Sequence, residues 1–165
     1  MTGLKPMMHR RQSQRTRRDP LLRGTRGAAQ IEFILSFLTI IFVMFGIWEL
    51  VMVVHTMNVL SDAAKEGVRY AIVHGGGNIN CSGPNPPTSC TNPDPTATKV
   101  VAVVKDWAKY SLHDISAINV TVTYPDNMTE PPGRIRIEVA YNFLPYTALP
   151  ITPTLRAAAE GRIVY

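Results

Sequence analysis

The run from Ile31 to Val54 constrains the chain most: in these 24 residues Glu32 and Glu49 are the only charged side chains, with Ser36, Thr39 and Gly46 the other weak interruptions. As a helix rising about 1.5 Å per residue it reaches about 36 Å, enough to cross a hydrocarbon core of about 30 Å with some tilt. A buried core helix is usually shorter and apolar on one side, whereas Ile40-Ile41-Phe42-Val43-Met44-Phe45 is apolar all round. A cleaved secretory signal has a shorter apolar region and a small-x-small site soon after it, and this chain has neither. The expectation is a single transmembrane helix in a lipid bilayer.

The 17 lysines and arginines outnumber the 12 acidic residues, but the excess is local. Lys5, Arg10, Arg11, Arg15, Arg17, Arg18, Arg23 and Arg26 stand within the first 27 residues against Asp19 alone, and the rest of the chain is slightly acidic. A nucleic-acid-binding face would not confine its charge to one tail, so no nucleic-acid partner is expected. By the positive-inside rule the arginines stay cytoplasmic, and everything after about His55 is extracytoplasmic. Thr16-Arg17-Arg18-Asp19-Pro20-Leu21-Leu22 half matches a twin-arginine export signal, a match weakened by Pro20 where an aromatic is usual.

Both cysteines, Cys81 and Cys90, fall in the exported part, where a disulfide can persist. They enclose Ser82-Gly83-Pro84-Asn85-Pro86-Pro87-Thr88-Ser89, which has little means of ordering itself by packing. A bond closing this loop contributes on the order of 2 to 3 kcal/mol by restricting the unfolded chain. A metal site joining His74 to the two thiolates fits no usual zinc spacing and lacks a fourth ligand nearby, so neither a metal nor a cofactor is expected.

No proline occurs between Ala28 and Val73, so the helix need not stop at the membrane surface. Beyond Val54 it turns amphipathic: Leu60, Ala64, Gly67 and Ala71 share one side, while Ser61, Asp62, Lys65, Glu66 and Arg69 take the other. Gly75-Gly76-Gly77 ends it, since three glycines cost a helix interior too much backbone entropy. His74 to Thr98 is then expected as a surface loop. Thr98 to Leu112 reads as a second helix with Val100, Val101, Val104, Trp107 and Ala108 on its apolar side, although its β-branched content also permits a strand up to Val104. Alternation predicts strands through Ile118, Val120, Val122 and Tyr124 and through Ile135, Ile137, Val139, Tyr141 and Phe143, antiparallel across the long connection Pro125 to Gly133. Leu155 to Tyr165 reads as a third strand, though Ala157-Ala158-Ala159-Glu160 also suits a helix. A sheet this small needs its apolar face covered, and the amphipathic half of the long helix is the obvious cover.

The expected fold class is therefore α+β, with a long N-terminal helix, a second short helix and a small antiparallel sheet of about three strands. The expected organisation is a basic cytoplasmic leader, 1–27; a long helix, 28–73, with its span at 31–54; a Pro/Gly-rich loop with the disulfide, 74–98; and a small extracytoplasmic α/β domain, 99–165. No catalytic constellation emerges, because His9, His55, His74 and His113 each lack a nucleophile placed beside them. The chain is not expected to be an enzyme.

A carboxylate within a membrane helix is costly and demands a reason. Glu49 lies near the end of the apolar run and reads as a plain interfacial residue. Glu32 follows Arg26-Gly27-Ala28-Ala29-Gln30-Ile31 and precedes Phe33, directly after the basic leader. There the sequence resembles the TadE-like pseudopilins of the wider type IV pilin-like proteins. In that family a membrane-embedded prepilin peptidase cuts after a glycine that ends the leader, and glutamate is the fifth residue of the mature chain. A cut between Gly27 and Ala28 puts Glu32 at that place, whereas a cut after Gly24 would put Ala29 there. Gly46-Ile47-Trp48-Glu49 resembles a second glycine-and-glutamate stretch. Asp62-Ala63-Ala64-Lys65-Glu66-Gly67-Val68-Arg69-Tyr70-Ala71 looks like the family's Ala-Ala, Glu-Gly, Arg-Tyr-Ala signature, carried here by Ala63, Ala64, Glu66, Gly67, Arg69, Tyr70 and Ala71. The chain departs from the family at Leu38, near which members often carry a proline.

The resemblance implies a pilin-like fold and a minor pseudopilin or assembly component of a tight-adherence (Flp-type) pilus. It implies a single-pass protein of the cell membrane, and possible incorporation into the pilus. Its implied partners are the prepilin peptidase, other pilin-like subunits and the pilus assembly platform. Glu32 and Phe33 are implied in assembly, with Glu32 neutralising the new amine of Ala28 on a neighbouring subunit. The alternative is an uncleaved, single-pass anchored extracytoplasmic binding module that uses its basic tail only for topology.

Overall fold

A computed structural model describes residues 22–147 and 152–164, with 22–26 described as helical backbone alone. The side chains of the expected leader up to Arg26, the rejected cut at Gly24 and Tyr165 lie outside the described residues, and the third strand, expected to run to Tyr165, ends at Arg162. Helix α1 spans Leu22–Val73. It begins six residues before the expected Ala28, because beyond Pro20 nothing in the sequence interrupts helical hydrogen bonding until the glycines at 75–77.

The chain divides into two compact units, Met1–Val43 and Met44–Tyr165. In the first, each described side chain from Gly27 to Ile40 is exposed, apolar ones included. The second holds the rest of α1, helix α2 (Thr98–Ala108), one turn of 3-10 helix (Ile115–Ala117), and strands β1 (Ile118–Thr123), β2 (Arg134–Asn142) and β3 (Thr154–Arg162). The three strands form one antiparallel sheet in the order β1-β2-β3. The architecture is the expected α+β.

Alternation decides which face of the sheet is buried. Ile135, Ile137, Val139 and Tyr141 of β2 point inward, and Arg134, Arg136, Glu138 and Asn142 point out. β3 pairs with β2 from Leu155 opposite Tyr141 to Gly161 opposite Ile135. The run Ala157-Ala158-Ala159 therefore lies in a strand, where ladder pairing overrides alanine's helical preference.

The covering layer is α1. Leu60, Ala63, Ala64, Val68 and Ala71 are buried on one stripe, packed with Val100, Val104 and Ala108 of α2 and with the inner face of the sheet. Two glycines set the closeness of this packing. A methyl group at Gly67 would overlap the Val104 side chain and approach Ile137 Cδ1 to 2.9 Å. On β3, a methyl at Gly161 would stand 2.6 Å from both Val68 and Ile72 of α1.

Helix α2 ends at Ala108 rather than Leu112: the N–H groups of Ser111 and Leu112 both donate to the Ala108 carbonyl, which closes the last turn. Its buried stripe is also narrower than expected. Val100, Val104 and Ala108 step by four, whereas Trp107 falls off that row and is 51% exposed.

The segment between Val73 and Thr98 is more than a surface loop. Cys81, Ser82, Asp94 and Ala97 are buried, and the Cys81–Cys90 disulfide is formed. Backbone bonds tie it down, with Ser82 N–H donating to the His74 carbonyl and Asp94 N–H to that of Cys81. Asp94 organises the start of α2. Its carboxylate accepts from the Lys99 N–H at 2.7 Å and the Thr98 hydroxyl at 2.8 Å, although the residue preceding the helix, Ala97, has no side chain to cap it. Burial works to raise the Asp94 pKa, and these hydrogen bonds outweigh it, holding the carboxyl below its ordinary value of 3.8. Nearby, the Tyr124 hydroxyl donates to the Ser82 carbonyl at 3.0 Å; burial, then the Asp94 charge, pushes its phenol well up.

Replacing Gly67 by valine forces Val104 and Ile137 apart and is expected to cost about 2 to 3 kcal/mol, read as a lowered midpoint in thermal unfolding of the detergent-solubilised protein. Acid unfolding provides a second check. The Asp94 pKa is lowered in the folded protein, as are those of Asp114, by hydrogen bonds from Ser116, and Asp126, by those from Arg134. Their stabilisation is present above the ordinary carboxylate pKa and lost as pH falls through the folded values, so the midpoint is expected to drop below about pH 4. Asp94→Asn is expected to cost about 1 to 2 kcal/mol at neutral pH and to make the acid drop shallower.

Candidate functional site

The residues on which the family resemblance rests all lie on α1, and the helix sorts them into three groups, while Cys81 and Cys90 form their disulfide in the segment beyond it. The first is the N-terminal stretch. Gly27, Ala28, Glu32 and Phe33 are exposed on the described part of the first unit. Ala28 and Glu32 are four apart and so share one side of the helix, a single turn from each other. Among the described residues nothing lies within 4 Å of where a Cβ on Gly27 would stand, so no packing among them calls for glycine there. Phe33 stacks on Phe37, with ring centroids 6.2 Å apart and planes 9° from parallel. Glu32 has no hydrogen-bond or ion-pair partner among the described residues. Its neighbours Ile31, Phe33, Ile34 and Leu35 are each at least half exposed, so the carboxylate sits in an open apolar surface.

The second group is Glu49 with its surroundings, and here the expectation of a plain interfacial residue is corrected. Glu49 is half-buried and accepts three hydrogen bonds from the β2–β3 connection: from Tyr146 N–H at 3.2 Å, from Thr147 N–H at 3.3 Å and from the Thr147 hydroxyl at 3.1 Å. Nothing local in the sequence announces this, since the partners lie almost a hundred residues on. The only available signal is that a glutamate inside an apolar run needs donors.

The third group is the stretch Ala63 to Ala71. Ala63, Ala64, Gly67 and Ala71 all face the core, where their small size lets α1 approach α2 and the sheet. Arg69 and Glu66 pair across one turn at 3.4 Å on the outer surface, as Lys65 and Asp62 do at 3.1 Å. Tyr70 is half-buried and stacks on His74 at 3.9 Å between centroids, while His74 Nδ1 lies 2.8 Å from the Tyr70 carbonyl oxygen. The alternation of small and charged residues is thus one contact stripe and one wet stripe of the same helix.

These groups are strung along one helix, and no nucleophile, base and orienting group converge in them. What they form is an exposed apolar stretch carrying Glu32, which has no partner among the described residues, and a separate contact stripe between α1, α2 and the sheet. The helix from Gly27 to Val73 is long and apolar enough to cross a membrane, and its most apolar window has no residue buried by the chain itself.

No curated protein and no solved structure matches the chain significantly. Residues 27–69 match the family model described as TadE-like protein, a stretch that starts at the glycine of the candidate cleavage site and ends at the arginine of the Ala63 to Ala71 signature. Over that helix the chain is similar to the TadE-like family, and the similarity stops where the helix meets the rest of the folded domain.

Proposed function

We propose that the chain is a minor pseudopilin or assembly component of the tight-adherence pilus, cut after Gly27 by a prepilin peptidase and held in the cell membrane by residues 31–54. In this reading the leader 1–27 stays cytoplasmic and the α/β domain is extracytoplasmic. Cleavage creates a positively charged amine on Ala28 at the edge of the bilayer. An amine there is tolerated when a carboxylate neutralises it. Glu32 supplies that carboxylate to the amine of a neighbouring subunit, and the exposed apolar side chains beside it, Phe33 among them, supply the packing.

The observation that carries this reading is Glu32, without a partner among the described residues, on an exposed apolar helix, five residues beyond a glycine that no packing among those residues requires. A carboxylate placed so has a strong reason to seek a cation from another chain. The packing role of the small residues from Ala63 to Ala71 supports it further, since it gives the same helix a second task, that of carrying the sheet domain. The partners proposed are the peptidase, pilin-like subunits and the assembly platform.

The N-terminal residue and mass of the membrane-extracted protein, with and without a co-expressed cognate prepilin peptidase, test the first step. A chain beginning at Ala28 only in the presence of the peptidase is expected. A chain still beginning at Met1 beside a verified active peptidase would turn the reading toward an uncleaved anchored binding module. Gly27→Leu is expected to block processing without lowering the thermal midpoint, because the site is open, whereas Glu32→Ala is expected to be processed nearly normally and to assemble poorly. Normal pilus assembly in both variants would remove the proposal.

A further inference from the structure

The three hydrogen bonds on Glu49 fix the height of the β2–β3 connection along α1. The Tyr146 and Thr147 amides reach the Glu49 carboxylate directly, so this loop lies beside residue 49 and not beside the polar part of the helix. Residue 49 is five positions inside the end of the apolar run at Val54, about 7 Å along the helix axis. Around it Trp48, Leu50, Val51 and Val54 are all exposed, and all belong to the same compact unit as the loop.

The loop's own chemistry matches that level. Leu144 is 49% exposed and Tyr146 53%, and no charged residue occurs from Phe143 to Thr154. The Tyr146 ring meets Phe143 and His113 edge-on, each at 6.3 Å between centroids, so it is held in place and is not a free surface side chain. An apolar loop entering the edge of a bilayer also exposes backbone donors, each costly when unsatisfied. Pro145 has no N–H, and the next two amides, with the Thr147 hydroxyl, are taken up by Glu49. The carboxylate that is expensive in the apolar run is thereby the group that makes the loop compatible with it. Scattered exposed apolar residues are ordinary on a protein surface, but these are continuous with the membrane-length stretch of α1.

From this geometry we infer that the Phe143–Thr147 loop docks into the lipid interface beside α1, with Leu144 and Tyr146 in contact with the bilayer and Glu49 as its clamp. The sheet domain then has two attachments to the membrane, the helix and this loop, and lies against the bilayer in one orientation. Tyrosine and tryptophan, here Tyr146 and Trp48, are the residues that bilayer interfaces favour, with the ring in the apolar region and the polar tip in the headgroups. The inference rests on the reading of α1 as a membrane span.

Bromolipid quenching in vesicles of phosphatidylcholine and phosphatidylglycerol, some brominated high on the acyl chains, tests it on the full chain. One reporter keeps Trp48 with Trp107→Phe. Two others carry Trp48→Phe and Trp107→Phe together with Tyr146→Trp or, at a position that tolerates change more readily, Leu144→Trp. A control places the reporter on the outer sheet face by Thr121→Trp. The expected result is emission reduced about twofold at 48, 144 and 146 and unchanged at 121, for a loop seated at the headgroup and acyl boundary. Quenching at 48 with positions 144 and 146 behaving like 121 would overturn the docked loop while leaving the membrane span in place. Absence of quenching at 48 would overturn both. Adding Glu49→Ala to the Tyr146→Trp reporter is expected to return its emission toward the control, and an unchanged signal would overturn the clamp.

Discussion

At Gly67 the backbone of α1 comes so near Val104 and Ile137 that a single methyl group would overlap one and crowd the other. That approach is what the sheet domain depends on. A three-stranded sheet offers one apolar face and too few residues to cover it alone. The cover here is a helix whose inward stripe is made of Ala63, Ala64, Gly67 and Ala71, small enough that α2 and β2 both reach its backbone. On the other side Gly161 of β3 lets Val68 and Ile72 close over the sheet's edge. Larger residues at these places would lift the helix off the sheet and leave Ile135, Ile137 and Val139 facing water.

A helix built in this way serves two solvents at once. From Leu60 onward its outward side carries Asp62, Lys65, Glu66 and Arg69, paired at one-turn spacing, and its inward side is the contact stripe. Before Val54 its apolar side chains face outward and the chain itself buries almost none of them. Leaving that surface in water would cost roughly 25 cal/mol for each Å² of apolar area, which over such a run exceeds the stability of a typical small domain. The surface therefore calls for lipid or for other helices.

How much of this is legible in the sequence follows from the range over which each cause acts. The membrane-length run, the amphipathic switch after Val54, the stop at Gly75 and the alternation of β1 and β2 depend on neighbours a few residues away, and each is present in the structure. The third strand is ambiguous locally, because alanines suit a helix, and only pairing with β2 decides it. Trp107 misleads because aromatic size suggests burial, while the actual contact row of α2 is set by the four-residue step of Val100, Val104 and Ala108. The segment around the disulfide hides its order for a similar reason. Its prolines and glycines read as loop, yet Asp94 holds the first turn of α2 and Tyr124 bonds the Ser82 carbonyl across 42 residues. A carboxylate shortly before a helix that lacks a capping residue is a signal that was available; the tyrosine contact was not.

The two glutamates of the apolar run make the sharpest contrast, because identical side chains in similar surroundings meet different fates. Glu49 finds its donors inside the chain, and its charge is spent on holding a loop. Glu32 lies 17 residues earlier, near the start of the same run, and no described residue offers it a donor. A carboxylate in an apolar surface has a limited set of outcomes: it is protonated, it reaches the headgroups, or it meets a cation. The first two leave its position without consequence, whereas the third couples the register of one helix to that of another, as a polar residue does at a helix interface. The proposed cut after Gly27 creates such a cation on every subunit, one helical turn from a carboxylate of its own. In the proposed assembly, pairing between chains would give each subunit one donor and one acceptor at a fixed offset, the geometry of a chain that adds to itself.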